Sequence, residues 1–181
     1  MSEICITPPS QSMAQGNKFA LSFSRIANTI FDCTHSNIPG LSIPPKEQVT
    51  PFVNLFVPGN KIEFNPLTVE FLVDAQYNSW FDIYNWMIGE GFPESFDQYA
   101  KLSQNAIRKP GLPPSIGIRP PYSDATLIIY TNKNNAQIQL QFFDCFPIDL
   151  SDIPLGYDID AGTVMKATAS FRYSYYTFNR V

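Results

Sequence analysis

The chain has 181 residues, of which 44% are hydrophobic, 14% aromatic and 15% charged, and its formal net charge at pH 7 is −4. This length fits one domain with a core of ordinary size. The acidic balance and the lack of a Lys/Arg run argue against a nucleic-acid-binding protein, which needs a clustered basic face. The low charged fraction and the excess of Phe and Tyr indicate either burial against other copies or an aromatic-rich β core, and composition leaves both open.

The N-terminal segment, residues 1–17, is polar and contains prolines and serines, which predicts an irregular arm. It lacks the basic start and apolar run of a signal peptide, and no apolar segment of the chain approaches membrane-spanning length. We therefore expect a protein that is made in a cytoplasm and does not insert into a membrane.

The next residues alternate between apolar and small polar side chains, which predicts a half-buried strand over residues 18–26 and a second strand over residues 28–35. A turn-rich connection follows. In residues 48–61 one parity is apolar but includes Pro51, which predicts an edge strand, a bulged strand or a projecting loop.

Residues 67–73 alternate again and predict a strand, and residues 78–89 then change to helical spacing. Trp80, Ile83 and Met87 share one helical face, whereas Trp86 lies about 120° away from Ile83. We therefore predict that Trp80 packs into the subunit core, and that Trp86 lies at its margin or faces a neighbouring molecule.

Residues 91–122 form a Pro-rich excursion in which Phe96, Tyr99 and Ala100 indicate one or two further helical turns. Ala125 to Tyr130 and a returning strand around Leu140 flank an Asn-rich hairpin turn. A Pro/Asp/Gly corner over residues 145–162 precedes the longest alternating run, residues 163–178. The fold class is therefore mainly β, an antiparallel sandwich or barrel with one short packed helix in a single domain, residues 1–181.

Sites for chemistry are weakly supported. The cysteines, Cys5, Cys33 and Cys145, favour buried free thiols, and the only histidine, His35, follows Cys33 closely enough for a strand to place both side chains on one face. No third zinc ligand or orienting group accompanies that pair. We therefore predict a non-enzymatic protein with no catalytic residue, no cofactor and no metal.

Two rival classes use other residues. A hydrolase or a calcium site would draw on the aspartates of the corner, and a carbohydrate-binding sandwich would draw on the aromatic side chains of the helix and the excursion. The aspartates are Asp149, Asp152, Asp158 and Asp160. The aromatic side chains are Trp80, Tyr84, Trp86, Phe92, Phe96 and Tyr99.

Four stretches carry a family resemblance through their order and spacing. They are SNIPGLSIP, LTVEFLVDAQYNSWFDIYNWMIG with Trp86, SDATLIIYTNKNNAQIQLQFFDCFPIDLSDIPLGYD with Phe146 and Pro147, and ATASFRYSYYTF with Phe171 and Tyr173. Across residues 18–178 the chain resembles the tail tube family of contractile-tailed bacteriophages, which is related in fold to type VI secretion tube proteins. The resemblance implies rings of five copies whose inner wall is a continuous barrel.

The resemblance also implies partners. It predicts a structural subunit of the virion tail, stacked in rings with sheath and baseplate proteins around it, through whose channel viral DNA leaves without specific binding. The N-terminal arm and the long excursion are departures that indicate a specialised ring. We therefore consider a main tube subunit first, and a baseplate initiator, an adaptor or a tube terminator second. We predict that residues 39–60 project as a hairpin and pack on the next ring.

Overall fold

The computed structural model describes residues 16–26, 33–91, 93–104, 122–131, 133–157, 162 and 164–181. Within these ranges the chain forms eleven strands and two helices. The strands are β1 Phe19–Phe23, β2 Cys33–Ser36, β3 Leu41–Ser42, β4 Lys46–Val49, β5 Asn54–Val57, β6 Glu63–Phe64, β7 Leu67–Leu72, β8 Ser123–Tyr130, β9 Ala136–Leu150, β10 Lys166–Arg172 and β11 Tyr175–Arg180. The helices are α1 Asn78–Gly91 and α2 Phe96–Gln104.

The longest strand, β9, joins two antiparallel layers. Its first part pairs with β8 and β11, and β8 pairs in turn with β1. Its last part pairs with β10, which continues the second layer through β7 to β2. The prediction of an antiparallel β fold is thus confirmed, and the two layers enclose one core.

A bulge lets β9 pass from one layer to the other. Asp144 has a φ of 55°, in the left-handed region that few residues other than Gly, Asn and Asp adopt. Its backbone N–H donates to Asp124 Oδ1 at 3.2 Å. The buried parity changes there, from Leu140 and Phe142 before the bulge to Cys145 and Pro147 after it. The predicted corner at residues 145–162 is therefore wrong at its start, because the strand continues to Leu150.

The predicted strand over residues 163–178 is interrupted. β10 ends at Arg172 and β11 begins at Tyr175. The interruption lies beside the bulge, since the Ser174 N–H donates to the carbonyl oxygen of Phe143 at 3.0 Å. Both strands follow β9 across its bend, so the run was correctly predicted as extended chain but not as a continuous strand.

The core fills the space between the two layers. Alternation buries Leu67, Val69 and Phe71 of β7, as predicted. Phe23 of β1 and Phe171 of β10 belong to strands that do not pair, yet their ring centroids lie 4.6 Å apart across the interior. This contact shows that side chains of the two layers interdigitate.

Helix α1 closes the core with a different face from the predicted one. Ile83 and Trp86 are 1% and 2% exposed, whereas Trp80 is only partly buried. Ser79 and Gly89 complete the buried stripe, so small residues that carry no hydrophobic signal define the packed face. The prediction that Trp86 lies at the margin of the core or faces a neighbour is therefore wrong, and Trp80 packs against the core only as a partly buried residue.

The second helix, α2, confirms the helical turns predicted within the excursion. It packs against α1 where Gly89 meets Leu102, and a Cβ added to Gly89 would lie 2.9 Å from the Leu102 Cβ atom. Neither described helix has the length and apolar character needed to cross a membrane. The predicted N-terminal arm and most of the excursion lie outside the described residues.

Candidate assembly surfaces

A long β ribbon, residues Leu41–Phe64, carries the largest group of exposed hydrophobic side chains. Its base is the β3–β6 pair, and its end is the hairpin of β4 and β5. The four-residue turn of this hairpin runs from Thr50 to Val53, where Thr50 Oγ1 accepts a hydrogen bond from the Val53 N–H at 3.2 Å. The segment therefore forms two paired strands and not one edge strand or bulged strand. The predicted hairpin is confirmed.

Both faces of the hairpin carry exposed apolar side chains. Leu55 and Val57 lie on one face, and Val49 and Phe56 lie on the other, with exposed fractions between 43% and 78%. Phe52 in the turn is 96% exposed. An isolated two-stranded hairpin is marginally stable in water, and exposed apolar patches of this kind mark interaction sites. The ribbon is therefore a candidate contact surface.

The ribbon is held at its base by side chains of the last two strands and of the residue that follows β10. The Tyr173 hydroxyl donates to the carbonyl oxygen of Asn65 at 2.8 Å, and Arg172 Nη1 donates to that of Phe64 at 2.9 Å. The Tyr176 hydroxyl donates to the carbonyl oxygen of Pro39 at 3.2 Å. These bonds fix the direction in which the ribbon leaves the β layers.

Between base and hairpin, the two sides of the ribbon approach closely at a glycine. A Cβ atom added to Gly59 would lie 2.2 Å from the carbonyl oxygen of Pro44. No side chain fits at that distance without moving the backbone. Gly59 thus keeps the ribbon narrow, and its hairpin stays aligned with its anchored base.

Two rows of uncharged side chains cross the outward face of the first layer, and one of them is entirely polar. Register places four such side chains in a row across β1, β8, β9 and β11, on the face opposite the core. They are Ser22, Thr126, Gln141 and Thr177. A second row contains Ala20, Ile128, Gln139 and Asn179. Gln139 and Gln141 lie together on one face, as their alternation predicted.

An ion pair lies on the outward face of the second layer. Lys166 Nζ lies 2.8 Å from Glu70 Oε1, and the Lys166 side chain holds the pKa of Glu70 below its usual value. Thr34 Oγ1 also donates to Glu70 Oε1 at 3.4 Å. The pair is partly exposed, so it contributes little to stability but leaves this position with no net charge.

The aromatic residues of α1 are arranged as a helix anchor. Trp80 stacks on Tyr84 with 5.3 Å between ring centroids, and its side chain packs against the core. The Trp80 indole N–H donates to the carbonyl oxygen of Ser151 at 3.2 Å. The contacts of Trp80 are therefore those of a packed helix residue, whereas Phe81, beside it, is 49% exposed.

The other predicted aromatic and acidic residues that the structure describes do not form one site. Phe96 packs on Tyr99 in α2, with 5.6 Å between their ring centroids, and Phe92 lies outside the described residues. Asp149 and Asp152 are exposed at and beyond the end of β9, and Asp158 and Asp160 lie outside the described residues. Among described side chains, no group of three or more His, Cys, Asp and Glu residues could hold a metal ion.

Cys33 and His35 do not share a face, so that expectation is wrong. An irregularity in β2 pairs Cys33 with the buried Phe71 and His35 with the outward-facing Glu70. The Cys33 thiol donates to the carbonyl oxygen of His35 at 3.4 Å, and burial raises its pKa to about 11. Burial also raises the pKa of Cys145 to about 12. Both thiols are therefore poor nucleophiles at neutral pH.

The family model described as "Phage tail tube protein" matches residues 3–179. The chain belongs to this tail tube family. The prediction made from the four sequence stretches is thereby confirmed, and the chain is related to the tubes of contractile tails. The family is structural, which agrees with the expectation of a non-enzymatic subunit.

A relative and two solved structures further define this tail tube protein. It is 32% identical over 143 residues to the "Tail tube terminator protein" of Enterobacteria phage T4, covering 77% of this chain and 72% of the relative. The structure of the anti-feeding prophage tube-terminating cap is similar over 100% of both chains, with a TM-score of 0.61 and 12% identity. A chain of the anti-feeding prophage baseplate matches over 94% of this chain and 97% of its own length, with a TM-score of 0.60 and 12% identity. At these identities the two structures show a shared fold.

Proposed function

We propose that this chain forms the terminator ring of a contractile phage tail tube, a homo-oligomeric ring that sits on the last tube ring and ends its growth. The observation that carries the proposal is the 32% identity, over 77% of this chain, to a protein named a tail tube terminator. The N-terminal arm and the Pro-rich excursion already indicated a specialised ring. On sequence alone the main tube subunit was the preferred role and the terminator an alternative. The terminator is now the preferred role.

The ribbon supports a role in ring stacking. Its hairpin exposes apolar side chains on both faces, and Tyr173 and Arg172 fix its base to the body of the subunit. A rigidly attached apolar projection loses little conformational entropy when it binds. We infer that the ribbon packs on the adjacent tube ring, as the hairpin prediction proposed, and that sheath and neck proteins surround the assembly in the virion tail.

The two rows of uncharged side chains on the outward face of the first layer support a role as channel wall. Ser22, Thr126, Gln141 and Thr177 present hydroxyl and amide groups to water. A surface without clustered cations releases no counterions and so holds DNA weakly. We infer that this face lines the channel and that DNA passes along it without specific binding.

The number of copies in the ring is a separate inference. The resemblance implied five, whereas the anti-feeding prophage baseplate, a relative in fold, is described as 6-fold symmetrised. We adopt six copies for this chain. Native mass spectrometry of the purified ring counts the copies directly, and a five-subunit mass would contradict the choice of six.

The decisive experiment adds gold-labelled, purified full-length protein to tail tubes of the same phage and images them in negative stain. A terminator is expected to form separate rings by itself and to bind at one end of each tube. Long tubes assembled from this protein alone would identify a main tube subunit instead. A protein that stays monomeric at high concentration and does not bind tubes would contradict both roles.

A further inference from the structure

A polar cleft of about 510 Å³ lies where the chain leaving β1 meets α1 and α2. Arg25, just after β1, connects these elements. Its Nη2 donates to the carbonyl oxygen of Leu102 in α2 at 2.9 Å, and its guanidinium carbon lies 5.5 Å from the ring centroid of Trp86 in α1. A single cation thus ties the β layers to both helices through a hydrogen bond and a cation–π contact.

A carboxyl group beside this contact is incompletely satisfied. Glu90 lies in the last turn of α1, where the helix dipole disfavours a negative charge and no basic side chain compensates it. The Trp86 side chain forms a hydrogen bond with the Glu90 carboxyl group. Glu90 Oε1 is buried and has no hydrogen-bond partner among the described residues. The site therefore suits a neutral carboxylic acid better than a carboxylate.

Charged side chains that line the cleft come from each of the elements packed around it. Arg25 follows β1, Asp82 belongs to α1 and Lys101 belongs to α2. Burial is the largest influence on Glu90 and raises its pKa to about 7, against the opposing effects of the Trp86 hydrogen bond and the Arg25 charge. Arg25 therefore reduces the cost of ionising Glu90 but does not remove it.

We propose that Glu90, held between Trp86, Arg25 and the C-terminal end of α1, is a proton-controlled latch for the α1–α2 helix pair. The protonated acid keeps the pair packed on the β layers. Ionisation favours an arrangement in which water reaches the carboxylate and the contacts of Arg25 with Trp86 and Leu102 loosen. The device is independent of the ring position of the subunit.

The sign of the effect follows from proton linkage. The closed arrangement binds the Glu90 proton more tightly than an open one with an ordinary pKa near 4.5, because burial raises the closed-state pKa to about 7. Protonation of Glu90 stabilises the closed form fully below about pH 4.5. This stabilisation decreases between about pH 4.5 and about pH 7, and it is lost as the pH rises above about 7.

The test uses fluorescence of Trp86 in a Trp80→Phe background, which leaves it as the sole remaining Trp of the two in the chain. The signal is recorded from about pH 5 to about pH 9, and a transition centred near pH 7 is expected. Glu90→Gln, which imitates the protonated acid, should remove this transition and keep the low-pH signal. His35→Gln, a control at the single histidine of the sequence, should retain it. A transition that survives Glu90→Gln, or disappears with His35→Gln, would overturn the proposal.

Hydrogen–deuterium exchange of Phe96–Gln104 supplies a second readout in the full chain. After correction for the intrinsic pH dependence of exchange, α2 should exchange several-fold faster at about pH 8 than at about pH 6. In Glu90→Gln the corrected rates should be equal. Equal corrected rates in the unmodified chain would show that no latch operates.

Discussion

At the scale of single residues, the two tryptophans have different roles. Trp86 is 2% exposed, and its ring centroid lies 6.1 Å from that of Phe171 at the centre of the core. Trp80 is partly buried beside Ser151 and Tyr84. Sequence periodicity reversed the two, since it counted Trp80 and Met87 as one stripe and gave no weight to Ser79 and Gly89.

We therefore predict that Trp86→Ala lowers the free energy of unfolding by about 3–5 kcal/mol, because the cavity cannot be refilled by the packed strands around it. Trp80→Ala should cost roughly 1–2 kcal/mol, since one hydrogen bond and a partial burial are lost. Urea unfolding followed by circular dichroism measures both. Phe81→Ala is the control for an exposed aromatic residue on the same helix and should change stability little. A larger loss for Trp80 than for Trp86 would contradict the observed packing.

At the scale of elements, the helix pair depends on the absence of a side chain at one position. An Ala at Gly89 would normally favour a helix by about 1 kcal/mol. Here its Cβ would lie 2.9 Å from the Leu102 Cβ atom and 3.1 Å from both terminal methyl carbons. We predict that Gly89→Ala lowers the thermal midpoint in spite of its helix propensity.

A double-mutant cycle tests the reason. Leu102→Ala alone leaves a cavity, and in the double variant the new methyl group at position 89 moves into this space and no longer meets the two terminal methyl carbons, although the Cβ atom of residue 102 remains. The two losses should therefore be less than additive, by about 1 kcal/mol or more. Strict additivity would mean that the close approach of Gly89 and Leu102 does not control the packing.

The ribbon is the element whose function is easiest to separate from folding. Leu55 is 51% exposed on the hairpin, so Leu55→Asp should leave the melting temperature and ring mass of the subunit unchanged. An apolar contact with a neighbouring ring would gain a buried, unpaired charge, and we predict at least a tenfold loss of binding to tube ends.

A matched substitution controls for charge alone. Leu155 is 75% exposed and lies outside the ribbon, and Leu155→Asp should bind tube ends normally. The assignment of the ribbon fails if Leu55→Asp binds as well as this control, as judged by counting labelled tube ends in micrographs.

Sequence alone anticipated the elements whose pattern is local. β7 alternates because one of its faces is buried, and the ribbon could be inferred from Pro51 and the apolar residues around it. The change in which parity of β9 is buried could not be predicted. It depends on the left-handed backbone of Asp144, which nothing in the sequence distinguishes from any other Asp. The proposed channel face and the proposed stacking surface depend on other copies, whose positions a single chain does not encode in its local pattern.

At the scale of the whole molecule, few charges are available to hold subunits together. Only 15% of residues are charged, and the exposed hydrophobic side chains concentrate in the ribbon. We predict that ring mass in light scattering is unchanged between low salt and about 1 M NaCl, where the Debye length falls to about 3 Å. Sodium sulfate should strengthen ring association, since it favours apolar burial. Dissociation by NaCl would show that ion pairs, and not apolar contacts, dominate the interfaces.

The anchoring of the ribbon also sets an order of events during synthesis. Asn65 and Phe64 are bound by Tyr173 and Arg172, each 108 positions later in the chain, and Pro39 is bound by Tyr176, 137 positions later. At translation rates of about 5–20 residues per second, several seconds separate the emergence of the ribbon from that of its anchors. During this interval the apolar hairpin has no fixed orientation. A nascent chain therefore cannot present a correctly oriented ribbon to a partner until these anchoring residues have also left the ribosome.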